Sequence, residues 1–251
     1  MRRIFRLVQS HIVVRRFFGL LFPILILAGC ELSNLEMPAS EPVQPNDPEY
    51  TRQWHLPLID APEAWGTLSQ YRQRYPVRVA AIDEAIDRDH EDFAPGVMVD
   101  GFDFSANRPY GPIEESWEVP EDHGTHVAGL IAASANNGVG VSGIAWDGFG
   151  NGGSGQLEVM PLNIFGFSNA VASDLVAAVL YAAGLPNDTG YLPSRPAAVI
   201  NMSLGTDNPN EIVPAAFELA AAAGVTMVAA AGNGPRYGFN VGIGTYGGVD
   251  Y

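Results

Sequence analysis

Four short aliphatic runs, at 77–82, 159–165, 197–203 and 225–231, are separated by stretches that read as helices, and this spacing restricts the fold more than any other feature. Runs rich in Val, Ile and Ala without polar alternation suit strands buried on both faces. Between them, a helix is expected from His123 to Ser134 after a long loop. A second is expected to be capped by Ser173-Asp174, to run through Ala183 and to close at Gly184. A third spans Glu211 to Ala223 and stops at Gly224. Repeated strand-helix units predict an α/β fold, a doubly wound parallel sheet with helices on both faces. Functional residues in such a sheet gather at the carboxyl ends of the strands, and Asp83, Ser203 and Asn233 stand at or just beyond such ends. No internal repeat is visible, and roughly 200 residues following the first fifty suit one domain.

The helix opening at His123-Gly124-Thr125-His126-Val127-Ala128-Gly129 carries chemistry at one end. Histidine changes charge near neutral pH, so one at the mouth of a buried helix is a candidate general base. The faces bearing Gly129, Ala132 and Ala133 are expected to pack too tightly for a large side chain. Two histidines three apart also raise zinc, but no Glu stands in the general-base position of an HExxH site and no Cys is nearby.

The segment from His123 to Gly129 matches the H-G-T-H-V-A-G histidine motif of the subtilisin-like serine peptidases at every position. Val77-Arg78-Val79-Ala80-Ala81-Ile82-Asp83 resembles the aspartate motif of that family. Val199-Ile200-Asn201-Met202-Ser203-Leu204-Gly205 resembles its substrate-pairing segment, and Val228-Ala229-Ala230-Ala231-Gly232-Asn233 the segment that ends in its oxyanion asparagine. The four fall in family order and cover the chain from about Gln53 to Asn233. The resemblance implies hydrolysis of peptide bonds by an Asp-His-Ser triad, with Asp83 as orienting acid, His123 as base and Asn233 as oxyanion donor. It also makes His126 a residue packed inside. Ser203, Leu204 and Gly205 would pair with an extended polypeptide substrate, and Ala230, Ala231 and Gly232 would wall the P1 pocket. No cofactor is required for such chemistry.

Three departures qualify the resemblance. Glu84-Ala85 follows the aspartate where the family has Thr-Gly or Ser-Gly; the acid resembles the proprotein-convertase branch and suggests basic residues at P2, or is a solvated acid without a role. Asn136-Asn137-Gly138-Val139-Gly140-Val141 resembles the family's calcium loop, with Asp92 and Asn137 at matching positions beside Asp87 and Asp89. One residue is inserted before Asn136, and an acidic surface loop is the alternative to a structural calcium site. Finally, no Gly-Thr-Ser-(Met/Ala)-Ala occurs, and Ser154 fails as a nucleophile elbow because Gln156 replaces the glycine. The domain is therefore expected to be C-terminally incomplete over residues 51–251, with part of its sheet left uncovered. Three readings follow: a peptidase recorded as a partial chain, a catalytically dead peptide-binding protein, or a reused scaffold.

Arg2, Arg3, Arg6, Arg15 and Arg16 precede an apolar stretch ending in Leu27-Ala28-Gly29-Cys30, which resembles a bacterial lipobox. The expectation is a signal peptide over 1–29, lipidation of Cys30 and an exported protein held on a membrane of the cell envelope. Residues 30–50 read as a Pro-rich acidic tether. Beyond the signal there remain 8 arginines, no lysine and 28 acidic residues. That balance argues against nucleic acid as a partner.

Overall fold

The computed structural model describes residues 41–68, 76–111, 122–145, 157–166, 170–205 and 212–232. Its elements in chain order are helices α1 (His55–Leu58) and α2 (Ala61–Leu68), strands β1 (Val77–Asp83), β2 (Phe102–Asp103) and β3 (Arg108–Pro109), then helix α3 (Asp122–Ala132) and β4 (Leu157–Asn163). Helix α4 (Ala172–Ala182), β5 (Val199–Met202), α5 (Ile212–Ala222) and β6 (Thr226–Ala229) follow. Among the described residues the strands form one six-stranded sheet in the order β3-β2-β4-β1-β5-β6. All neighbours run parallel except the β2–β3 pair. This is the α/β architecture that the aliphatic runs predict: the first run gains Asp83, the second is shifted by two residues, and the last two are shortened at both ends.

The central strand shows why its sequence lacks alternation. Every residue of β1 after Val77 is buried. Ala80 and Ile82 join Met160, Leu162, Ile200 and Met202 under α4 and α5. Ala81 packs the opposite way with Val159, against Ala128 and Ala132 of α3. Helices therefore cover both faces, and the parallel pairing forces crossovers that carry each helix from one end of the sheet back to the other. Gly184 and Gly224 stop α4 and α5 as expected. Each adopts a left-handed φ, +69° and +88°. The next residue's N–H, of Leu185 and Val225, reaches back to Leu180 and Ala220 in a Schellman closure.

Several expectations are corrected. The antiparallel β2–β3 hairpin was not anticipated, because strands of two residues leave no periodic signal. Helix α4 is not capped by Ser173-Asp174. Val171 holds the extended cap position, and the Ser173 hydroxyl turns to the Asp174 carboxylate instead. The stretch read as a tether is folded onto the domain from Val43 onward, where Val43 N–H donates to the Pro62 carbonyl. Pro45 and Asp47 within it are buried. Gly129 lies against nothing, since a Cβ there would meet no atom within 4 Å. No described helix is long and apolar enough to cross a membrane. The signal segment, Cys30, Ser154 and Asn233 lie outside the described residues.

Candidate active site

Asp83 is the last residue of β1, and the sheet buries it to 1% exposure. Gly124 brings the facing helix to it. A Cβ at that position would sit 2.6 Å from the Glu84 carbonyl oxygen and 2.7 Å from that of Ala85, so only glycine lets the first turn of α3 lie against the chain leaving β1. The Thr125 hydroxyl accepts the Asp87 N–H at 2.9 Å and pins the same turn to the same loop. His123 thereby meets Asp83, with Nδ1 and Oδ1 2.7 Å apart. An ionised carboxylate only accepts, so Nδ1 carries the proton and Nε2 keeps its lone pair.

The environment sorts the two groups. His123 remains 52% exposed while its partner is sealed. Its pKa is raised above the ordinary imidazole value, chiefly by the hydrogen bond to Asp83. Partial burial opposes the shift, and the negative charges of Asp83 and Glu84 add to it. Asp83 Oδ1 also accepts the Glu84 N–H at 2.8 Å. Its Oδ2 is buried without a hydrogen-bond partner among the described residues.

The other sequence candidates divide between placed and unplaced. Ala230 N–H donates to the Met202 carbonyl at 3.0 Å, which brings the ends of β5 and β6 together. Ser203, Leu204 and Gly205 thus lie beside Ala230, Ala231 and Gly232 at the same carboxyl edge as Asp83. Ser203 and Leu204 are half-buried, and the other four are exposed. His126 is a correction: it is exposed, because position i+3 of the helix shares the open face of His123.

The loop after α3 is organised by residues that the sequence reading joined only in part. Asp92 takes the Asn137 amide N–H on Oδ1 at 2.9 Å and the Val141 N–H on Oδ2 at 2.9 Å. The unanticipated member is Asp47. Its carboxylate, 4% exposed, accepts from the Asn136, Asn137 and Gly138 N–H groups and from the Ser142 hydroxyl. Burial raises the Asp92 pKa against those two hydrogen bonds, and the charge of Asp47 adds to the rise. The only sequence sign of Asp47 is an acid between two prolines, which reads as linker. Among the described residues no three His, Cys, Asp or Glu side chains converge as a metal site.

Residues 76–245 match the model of the Peptidase S8, or subtilase, family. The chain belongs to the subtilase family. It is 31% identical over 225 residues to the extracellular basic protease of Dichelobacter nodosus, covering 75% of this chain and 34% of that one. To thermitase of Thermoactinomyces vulgaris it is 30% identical over 190 residues, covering 75% of this chain and 58% of thermitase. A solved protease structure from Pseudoalteromonas arctica PAMC 21717 superposes with a TM-score of 0.61 at 30% identity, over 77% of this chain and 60% of that one. The chain thus spans between a third and three fifths of these subtilase relatives' own lengths.

Proposed function

We propose that the protein to which this sequence belongs is a serine-type endopeptidase whose base is His123, oriented by Asp83. The observation that carries this reading is the 2.7 Å Nδ1–Oδ1 contact at the carboxyl edge of the sheet, between a sealed carboxylate and a solvent-facing imidazole. Asp83 fixes the tautomer, so Nε2 is free to take the proton of a serine hydroxyl, and the carboxylate then stabilises the imidazolium. An extended polypeptide pairs along Ser203 to Gly205, with its P1 side chain toward Ala230 to Gly232. Asn233 donates to the oxyanion. Glu84, next in the chain to Asp83, favours Arg or Lys at P2, and Glu84→Thr is expected to erase that preference in a P2 peptide panel.

These 251 residues hold no Gly-Thr-Ser-(Met/Ala)-Ala segment, and we assign the nucleophile to an extension of the reading frame beyond Tyr251. The test is to sequence the locus downstream and to express the extended chain against fluorogenic peptides. Turnover that is abolished by His123→Ala supports the assignment. A stop codon, with a stable 251-residue product that binds extended peptides without cutting them, would replace it by a peptide-binding pseudo-peptidase. Export as a lipoprotein through Cys30 belongs to the same proposal, and the mass of the mature N-terminus decides it.

A structural Ca²⁺ at the loop of Asp92 and Asn137 is proposed alongside. Asp47, Asp92 and Asn137 bring side-chain oxygens to one loop, where they accept N–H groups of residues 136–141 that a hard cation would replace. The ion would hold the loop and take no part in hydrolysis. Added Ca²⁺ is expected to raise the melting temperature and a chelator to lower it; identical melts with both would reject the site.

A further inference from the structure

Three strands end in polar residues in one register. Asp83 of β1 pairs with Asn163 of β4, and Asn163 pairs with Asp103 of β2. Paired residues of adjacent strands share a face, and the preceding row of Ile82, Leu162 and Phe102 packs under α4 and α5. Alternation therefore turns Asp83, Asn163 and Asp103 to the opposite face, the one on which α3 packs against β1 and β4. Each is 1% exposed. Burying such a row costs free energy unless its members are hydrogen-bonded, and the bonds are specific. Asn163 Nδ2 donates to Asp103 Oδ1 at 3.2 Å, and Asn163 Oδ1 accepts the Phe165 N–H at 3.0 Å. Asp103 Oδ1 also gathers the Ser105 hydroxyl at 2.7 Å and the Ala106 N–H at 3.2 Å.

This pair reaches the candidate site through the backbone. The Ile164 N–H, between Asn163 and Phe165, donates to the Asp83 carbonyl at 3.1 Å. The Asn163 carbonyl in turn accepts the Phe104 N–H at 2.8 Å. The Asn163 side chain thus ties Phe165, one residue past the N–H that holds the Asp83 carbonyl, to Asp103 on the next strand. Among the described residues the side-chain hydrogen bonds of Asn163 and Asp103 reach neither His123 nor the Asp83 carboxylate.

We propose that Asn163, anchored by Asp103, is a positioning residue for the Asp83–His123 pair. The proposal rests on the catalytic reading of that pair. It assigns the β2–β3 hairpin a function: the hairpin delivers the buried acceptor that keeps the end of β4, and through it Asp83, in place. A group displaced by about 1 Å costs up to roughly a hundredfold in rate, which sets the scale of the effect.

The experiment uses the chain with its downstream reading frame, as wild type and as Asn163→Ser, Asp103→Ala and Asp103→Asn. Two quantities are read: the His123 Nδ1 proton resonance by NMR, and kcat and KM on one peptide. Asn163→Ser and Asp103→Ala are expected to shift or broaden the Nδ1 resonance and lower kcat by roughly ten- to a hundredfold with KM little changed. Asp103→Asn keeps an oxygen for the Asn163 amide and is expected to behave as wild type. An unaltered resonance in a folded Asn163→Ser would overturn the proposal, and so would Asp103→Asn proving as damaging as Asp103→Ala. Should Asp103→Ala not fold, the Asn163→Ser and Asp103→Asn pair decides alone. Absent turnover in wild type would sink the catalytic reading, while the resonance would still report whether Asn163 positions the pair.

Discussion

At the scale of single residues, the histidine motif contains two glycines that look alike in sequence and differ in structure. Gly124 lies against two carbonyl oxygens, whereas Gly129 faces open space. Gly124→Ala is expected to cost about 1–3 kcal/mol from overpacking. Gly129→Ala, in the interior of α3, is expected to stabilise this 251-residue chain by about 0.5–1 kcal/mol. Denaturant titrations of the two variants check both signs. His123 supplies a pH prediction. Its raised pKa means that the folded state holds the proton more tightly than the unfolded chain. The associated stability is full below about pH 6.5 and is lost as pH rises through the folded pKa. Base catalysis needs the neutral ring, so the acid limb of kcat/KM is expected above pH 6.5. NMR titration of His123 is expected to show the raised value, and Asp83→Asn to bring it back down.

Among the elements, β1 illustrates what a hydrophobic pattern conceals. Arg78 is the one charged residue inside an otherwise aliphatic run, and it is buried. Its guanidinium bonds Glu158 at 2.7 Å, Asp100 at 2.5 Å and the Arg195 carbonyl at 2.7 Å, and Arg195 reaches the same Glu158 at 2.6 Å. The network ties β1 and β4 to the chain that enters β5. Burial alone would raise the pKa of Asp100 and of Glu158. The Ser194 and Arg78 contacts to the first, and those of Arg195 and Arg78 to the second, hold both below the usual carboxylate range. Stability from these two acids is present above about pH 4 and is lost as pH falls through their folded values. Arg78→Ala removes one partner from each carboxylate, leaving Glu158 to Arg195 and Asp100 to Ser194, and is expected to cost about 1–3 kcal/mol, with the loss shrinking in acid. Urea melts at pH 7 and pH 3 test both statements. Nearby burial, with the charge of Asp100, pushes the Tyr181 phenol up to about 12.

For the whole molecule, what could be read in advance was what repeats or matches a pattern. The aliphatic runs revealed a two-faced sheet because β1 and β4 are covered on both sides, and Gly184 and Gly224 revealed the ends of their helices because left-handed backbone favours that residue. Asp83 and His123 were legible as a pair through their motifs. Asp47, Asn163 and Asp103 were not, since each acts through partners 60 to 95 positions away, and no local window contains both halves of such a bond. His126 was misjudged for a related reason: which face of α3 is covered depends on elements elsewhere in the chain. Asp47→Ala strips the acceptor from three N–H groups and a hydroxyl, and is expected to cost about 1–3 kcal/mol, read as a lower melting temperature. The same clasp constrains the order of events during folding. Residues 43–53 precede every strand of the sheet in the chain, yet Asp47 and Gln53 bond Ser142, 95 and 89 positions later. The amino-terminal arm therefore keeps its acceptors hydrated until the loop after α3 has taken its place, and its closure is a long-loop step of the kind that slows folding.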